Sequence, residues 1–154
     1  MIYIGIDPGT KGGMAISFDG RTIGCCESLS MDELDHLIDE LDSYLVNEHI
    51  SIVLESIPKF TGRIIPGSSA LVLGRSWGLL EGIARGMKIP VIDVTPKVWQ
   101  APIPGLKNLT GAPRKRALRN YAHKRHPHLK PTLATADAIL ILDFYLNNNN
   151  NKRK

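Results

Sequence analysis

At 154 residues the chain accommodates one domain with a sizeable core. Its hydrophobic share of 43% is ordinary for a globular protein, and no apolar run approaches the roughly 20 residues of a membrane span. The formal net charge of +4 conceals an asymmetry: residues 1–55 carry 2 Lys/Arg against 11 Asp/Glu, and residues 56–154 carry 17 against 4. A basic second part fits a polyanionic partner, nucleic acid foremost, or a merely solvated surface. Cys25 and Cys26 are neighbours, a spacing at which a disulfide is strained, so both thiols are expected reduced. The N-terminus opens directly into a strand with no secretory-type leader, so a cytoplasmic or organellar setting is expected.

Residues 2–7, 13–18 and 21–27 read as three short strands, with Asp19-Gly20 as a hairpin signal. Ser30, with Glu33 three residues on, forms a capping box for a helix. Its apolar positions Leu34, Leu37, Ile38, Leu41 and Leu45 recur at helical spacing, and its acids take the solvated face. Residues 50–55 make a fourth strand, apolar until Glu55. Residues 56–67 hold Pro58, Gly62, Pro66 and Gly67 with Lys59 and Arg63, a basic loop. Ser68 or Ser69 caps a helix running to about Met87, although Gly74, Gly78, Gly82 and Gly86 each cost roughly 1 kcal/mol relative to alanine. Such a stripe admits close approach of a partner helix, the sheet or nucleic acid, and close helix packing within the fold or in a dimer is the reading preferred. Residues 90–94 form a fifth strand and 100–113 a loop. Pro113 suits the first turn of a helix carrying Arg114, Lys115, Arg116, Arg119, Lys124 and Arg125. A last helix covers about 133–146, and residues 147–154, five asparagines and Lys-Arg-Lys, are expected to be a disordered tail. The order implies one α/β domain over 1–146: a mixed five-stranded sheet with helices on both faces.

Three carboxylates stand on apolar backgrounds. Asp7 ends a hydrophobic strand at a Pro-Gly turn, Glu55 closes Ile-Val-Leu-Glu, and Asp137 lies in Ala-Thr-Ala-Asp-Ala-Ile-Leu-Ile-Leu. Dispersed acids of this kind point to a divalent-metal site assembled by folding, and hard oxygen ligands suit Mg²⁺ or Mn²⁺. Asp7 as a turn aspartate and Asp137 as a helix acid paired with a lysine are the bland alternatives. Glu55 is hardest to explain blandly, because a strand rarely ends inward in an unpaired acid.

Ile6-Asp7-Pro8-Gly9-Thr10, then Leu54-Glu55 with a basic loop and Gly67-Ser68-Ser69…Leu73-Gly74-Arg75, then Ala136-Asp137-Ala138 before an apolar helix, resemble the motifs of RuvC-type Holliday junction resolvases. Val94-Thr95-Pro96…Trp99 followed by a basic helix is closer to the phage and organellar branch. The resemblance covers roughly residues 2–146 and implies a ribonuclease H-like fold. It also implies an endonuclease that resolves four-way DNA junctions by paired nicks, using two Mg²⁺ or Mn²⁺ ions held by Asp7, Glu55 and Asp137. Lys107 or Lys115 is expected near the scissile phosphate. Lys59, Arg63, Arg75, Lys97, Arg114 and Arg119 are expected on the DNA backbone. Phe60 is placed as a wedge at the opened junction or else in the core, and Trp77 and Trp99 are read as core. The partners implied are branched DNA and a second copy of the chain, joined through the glycine-striped helix, with no membrane and no small-molecule cofactor.

In one respect the pattern departs. The family supplies a fourth acid or histidine about one helical turn before the last aspartate, and here that turn reads Leu133-Ala134-Thr135-Ala136. Asp143 points away from that face, while His126 and His128 either reach in or are ordinary loop residues. A hybrid- or flap-cleaving relative and a junction-binding protein without activity therefore stand beside the resolvase. An actin-like phosphate-binding enzyme, which needs a repeated lobe, does not.

Overall fold

The computed structural model describes residues 1–9, 11–30, 34–57 and 66–152. Five strands, β1 (Ile2–Asp7), β2 (Lys11–Ser17), β3 (Cys25–Ser30), β4 (Ile50–Glu55) and β5 (Val91–Val94), form one sheet in the order β3-β2-β1-β4-β5. β1–β2 and β2–β3 pair antiparallel, whereas β1–β4 and β4–β5 pair parallel. Parallel neighbours need a crossover, and helices α1 (Leu34–Leu45) and α2 (Gly67–Gly86) provide it on one face. On the other face lie α3 (Pro96–Gln100), α4 (Gly111–Arg125) and α5 (Thr135–Lys152). This is the mixed α/β sheet expected from the element order.

Central strands covered on both faces are apolar throughout, so their alternation is visible only in what each side chain touches. Ile2, Ile4 and Ile6 of β1 and Ile50, Ile52 and Leu54 of β4 share a cluster with Leu37 and Leu41 of α1 and Leu80 and Ala84 of α2. Tyr3 and Val53 join the opposite cluster with Trp99, Leu118, Ile139 and Leu142. The odd-numbered residues of both strands, Asp7 and Glu55 included, therefore face α3–α5.

Helix α5 lies directly across β1 and β2 because two glycines let it. A Cβ on Gly5 would sit 2.7 Å from Leu142 Cβ and 2.8 Å from the Ala138 carbonyl oxygen, and one on Gly13 would sit 2.5 Å from the Ala134 oxygen. Gly5→Ala is expected to destabilise the fold by about 2–3 kcal/mol, because backbone must move to make room. In thermal unfolding that corresponds to a midpoint about 5–10 °C lower; an unchanged midpoint would show that the helix does not approach this closely.

Several boundaries depart from expectation. β3 occupies Cys25–Ser30, not 21–27, because Asp19 does not sit in a tight hairpin. Its carboxylate accepts from the backbone N–H of Arg21 and Thr22, each at 2.8 Å, and organises a longer loop ahead of the strand. Ser30 is the last residue of β3, paired with Lys11; the capping box expected of Ser30 and Glu33 falls on residues 31–33, which lie outside the described residues. α2 opens at Gly67 with Pro66 at its N-cap position and no side-chain cap, so neither Ser68 nor Ser69 serves as one. α5 runs past residue 146 to Lys152, where a disordered tail was expected. The Asn147 and Asn148 side-chain amides donate to the Asp143 and Phe144 carbonyls one turn back, which carries the helix into the asparagines. Both cysteines are free thiols. Among the described residues no helix is long and apolar enough to cross a membrane.

The glycine stripe of α2 has no partner among the described residues: a Cβ at Gly74, Gly78, Gly82 or Gly86 would meet none of their atoms within 4 Å. Close packing of this stripe inside the fold is thereby excluded for the described residues. Leu71, Val72 and Leu79 of the same helix are 74%, 44% and 37% exposed.

Candidate metal centre

Ile6 of β1 is in register with Leu54 of β4, so the next residues, Asp7 and Glu55, end adjacent strands side by side on the α5 face. Asp137 stands in the first turn of α5, whose start is fixed by a reciprocal pair of bonds: Thr132 N–H to Thr135 Oγ1 at 2.9 Å, and Thr135 N–H to Thr132 Oγ1 at 3.1 Å. With Gly5 and Gly13 setting the helix height, these bonds bring Asp137 over the ends of the two strands. Asp7 and Asp137 are 8% and 7% exposed.

Each carboxylate has a donor of a different kind. The Gly9 backbone N–H serves Asp7, the Trp99 indole Nε1–H donates to Glu55 Oε1 at 2.8 Å, and Lys115 Nζ lies 2.6 Å from Asp137 Oδ2. Burial, then the nearby Asp137 charge, pushes the Asp7 carboxyl up to about 6. Burial and the Asp7 charge push Glu55 up to about 7, against the Trp99 bond and Lys115. Burial works against the Lys115 ammonium, but Asp137 outweighs it and the lysine is held above its ordinary range.

The donors fit divalent cations. All three offer only hard oxygens; among the described residues a single lysine charge faces the three carboxylates, and Asp137 Oδ1 is buried with no hydrogen-bond partner. A buried carboxylate oxygen left without a donor is costly, and a coordinated Mg²⁺ or Mn²⁺ satisfies it. A separate group, Glu27, His36 and Glu40, brings ligand atoms within 4.8 Å of one another. It sits on β3 and α1, on the opposite face of the sheet from Asp7 and Glu55.

Of the two candidate lysines, the structure brings Lys115 to the carboxylates, while Lys107 is exposed in the loop before α4. Arg114 is spent on that loop: its guanidinium donates to the Leu106 and Leu109 carbonyls, at 3.0 and 3.3 Å, and to the Gln100 side chain. Arg75 on α2 and Lys97 on α3 are exposed, and Arg119 on α4 contacts Asn120 at 3.2 Å. Lys59, Phe60 and Arg63 lie outside the described residues. His126 Nε2 is 3.0 Å from Asp143 Oδ1, and His128 Nε2 is 2.9 Å from the Ile23 carbonyl. Neither histidine supplies the missing fourth ligand, and Asp143, also paired with Arg125 at 2.8 Å, faces α4 as its spacing predicts. Trp77 is partly buried on the α1–α2 side and Trp99 is core, as read, but the Trp99 contact to Glu55 is not evident from sequence.

The sequence matches no protein-family model and no curated relative. Solved structures do match. "T. thermophilus RuvC in complex with Holliday junction substrate" superposes with a TM-score of 0.63 at 16% identity, covering 96% of this chain and 95% of that one. A second Thermus thermophilus RuvC structure gives 0.57 at 16% identity, with 97% of each chain covered. A mixed sheet in the order β3-β2-β1-β4-β5, flanked by helices and aligned over nearly its whole length, has the RuvC-type, ribonuclease H-like fold that the motifs imply.

Proposed function

We propose that this chain is a divalent-metal-dependent, dimeric endonuclease that nicks four-way DNA junctions. The observation that carries the reading is the convergence of Asp7, Glu55 and Asp137, two of them buried and Glu55 half-buried, at the ends of β1 and β4 beneath α5, with Lys115 the cation that faces them among the described residues. It is supported by the similarity in fold to a RuvC structure solved with a Holliday junction substrate. Two Mg²⁺ or Mn²⁺ ions held there would supply charge neutralisation at the attacking and leaving oxygens of a phosphodiester.

In this reading Asp7 would contact both ions, with Glu55 and Asp137 each holding one. Lys115 is the side chain suited to the scissile phosphate: its ammonium is anchored on Asp137, yet 49% of its side chain is exposed. Arg75, Lys97 and Arg119, and Lys107 farther out, would take backbone phosphates and fix the register of the strand. A junction with two-fold symmetry suits two sites in a homodimer. The open glycine face of α2, with Leu71, Val72 and Leu79 exposed, is the proposed contact. Gly78→Ala separates the possibilities: on a solvated helix it stabilises by about 1 kcal/mol without changing mass, whereas at a close dimer contact it shifts sedimentation toward monomer.

The decisive assay incubates a labelled four-way junction, a linear duplex and an RNA–DNA hybrid with the protein, with and without Mg²⁺ or Mn²⁺. Paired nicks in the junction alone, requiring metal, support the proposal; equal cleavage of the hybrid overturns it. A second reading, a junction-binding protein without activity, is favoured by the absence of an acid at Leu133–Ala136 and predicts binding with no nick under either metal.

A further inference from the structure

We propose that Trp99 is a positioning residue for Glu55, its indole N–H fixing the carboxylate so that one oxygen stays directed to metal; the inference rests on the function proposed above. Glu55 ends β4 beside β5, and Glu55 pairs in register with Val94. The chain leaves β5 at Val94, turns at Thr95-Pro96 into α3, and returns Trp99 against Glu55 within five residues. The backbone N–H of Trp99 bonds the Thr95 carbonyl at 3.2 Å, and its ring is 1% exposed in a cluster with Val94, Ile103, Leu106 and Leu118. A ring so packed cannot swing, and an indole nitrogen can only donate. Glu55 Oε1, at 2.8 Å, is therefore committed to it.

The choice of donor matters. Lys115 orients Asp137 but also cancels part of the negative charge that draws a cation. The indole orients Glu55 while adding no charge. Groups that fix a ligand in this way typically contribute about 10–100-fold to metal affinity or rate. A packing role alone does not demand the hydrogen bond: Trp77 in the same chain has its Nε1 buried with no partner among the described residues.

The test compares wild type, Trp99→Phe and site-specific Trp99→benzothienylalanine, in which sulfur replaces the N–H at nearly unchanged shape, with Trp77→Phe as control. Mn²⁺ binding to DNA-free protein is measured by calorimetry, junction binding in EDTA, and nicking as a function of Mn²⁺. Both Trp99 variants are expected to bind Mn²⁺ about 10-fold more weakly and to nick about 10–100-fold more slowly at limiting Mn²⁺, with part of the rate recovered at saturation. Junction affinity in EDTA and the Trp77→Phe protein are expected to stay at wild-type values. If Trp99→Phe unfolds, the isostere decides. An isostere that binds Mn²⁺ and nicks like wild type overturns the proposal and leaves the nuclease reading standing, whereas wild type that neither binds Mn²⁺ nor nicks defeats both.

Discussion

Asp7→Asn is expected to lower junction nicking by at least about 10³-fold while leaving junction binding intact, because Asp7 is the one acid proposed to contact both ions. The substitution keeps size and the acceptor for the Gly9 N–H, and removes only the charge. It is also expected to stabilise the metal-free protein at pH 8. Asp7 is 8% exposed and its carboxyl is pushed up to about 6 by burial and Asp137, so ionising it opposes folding. A shift from 3.8 to about 6 corresponds to about 3 kcal/mol. Loss of activity together with a higher unfolding midpoint is the signature of a site whose charges are arranged for a cation and not for the apo fold. A variant that still nicks, or that loses activity by unfolding, would contradict this assignment.

The second large effect is a stability that depends jointly on pH and metal. Asp7 and Glu55 both have folded values above their unfolded ones, about 6 against 3.8 and about 7 against 4.5. Groups shifted in this direction contribute stability that is fully present below about pH 4 and is lost as pH rises through about 6 to 7. Glu27, raised by burial and by Glu40, adds to the same trend. Asp19, held low by the Thr22 and Arg21 backbone N–H groups, acts oppositely, but only in the acid range. Asp143 also acts oppositely: burial raises it, yet the His126 and Arg125 bonds leave it low overall. Between pH 5 and 8 the metal-free protein is therefore expected to lose about 3–5 kcal/mol, or about 10 °C in midpoint. Mn²⁺ should restore most of this at pH 8 and little at pH 5, where protons hold the carboxyls. Differential scanning calorimetry over that range checks it: a metal effect independent of pH, or one retained in Asp7→Asn, would count against these carboxylates as the binding groups.

Much of the architecture is legible in the sequence for one physical reason. Strands buried on both faces are apolar throughout, so a lone acid at their end stands out, as Asp7 and Glu55 do, and Asp137 stands out in the same way on the apolar start of α5. The same uniformity hides which face each residue takes. That emerges only from the parallel register of β1 and β4 and from the glycines that admit α5. Other features depend on contacts between distant residues. Trp99 looks like any core tryptophan until β5 is placed beside β4, which brings it to Glu55 across 44 positions. Lys107 and Lys115 are equivalent as charges, and α4 selects Lys115. Arg114 reads in sequence as a phosphate ligand, and only the structure shows its guanidinium donating to the Leu106 and Leu109 carbonyls. The strand β3 is displaced because one carboxylate, Asp19, satisfies a longer loop than the Asp19-Gly20 pair advertises. The glycine stripe is plain in the sequence, yet only the structure shows that none of the described residues fills it.

The most direct measurement is the anomalous diffraction of crystals soaked in Mn²⁺. Manganese peaks are expected at Asp7, Glu55 and Asp137, within coordination distance of Asp137 Oδ1. Manganese bound only at Glu27, His36 and Glu40, with none at the ends of β1 and β4, would contradict this assignment.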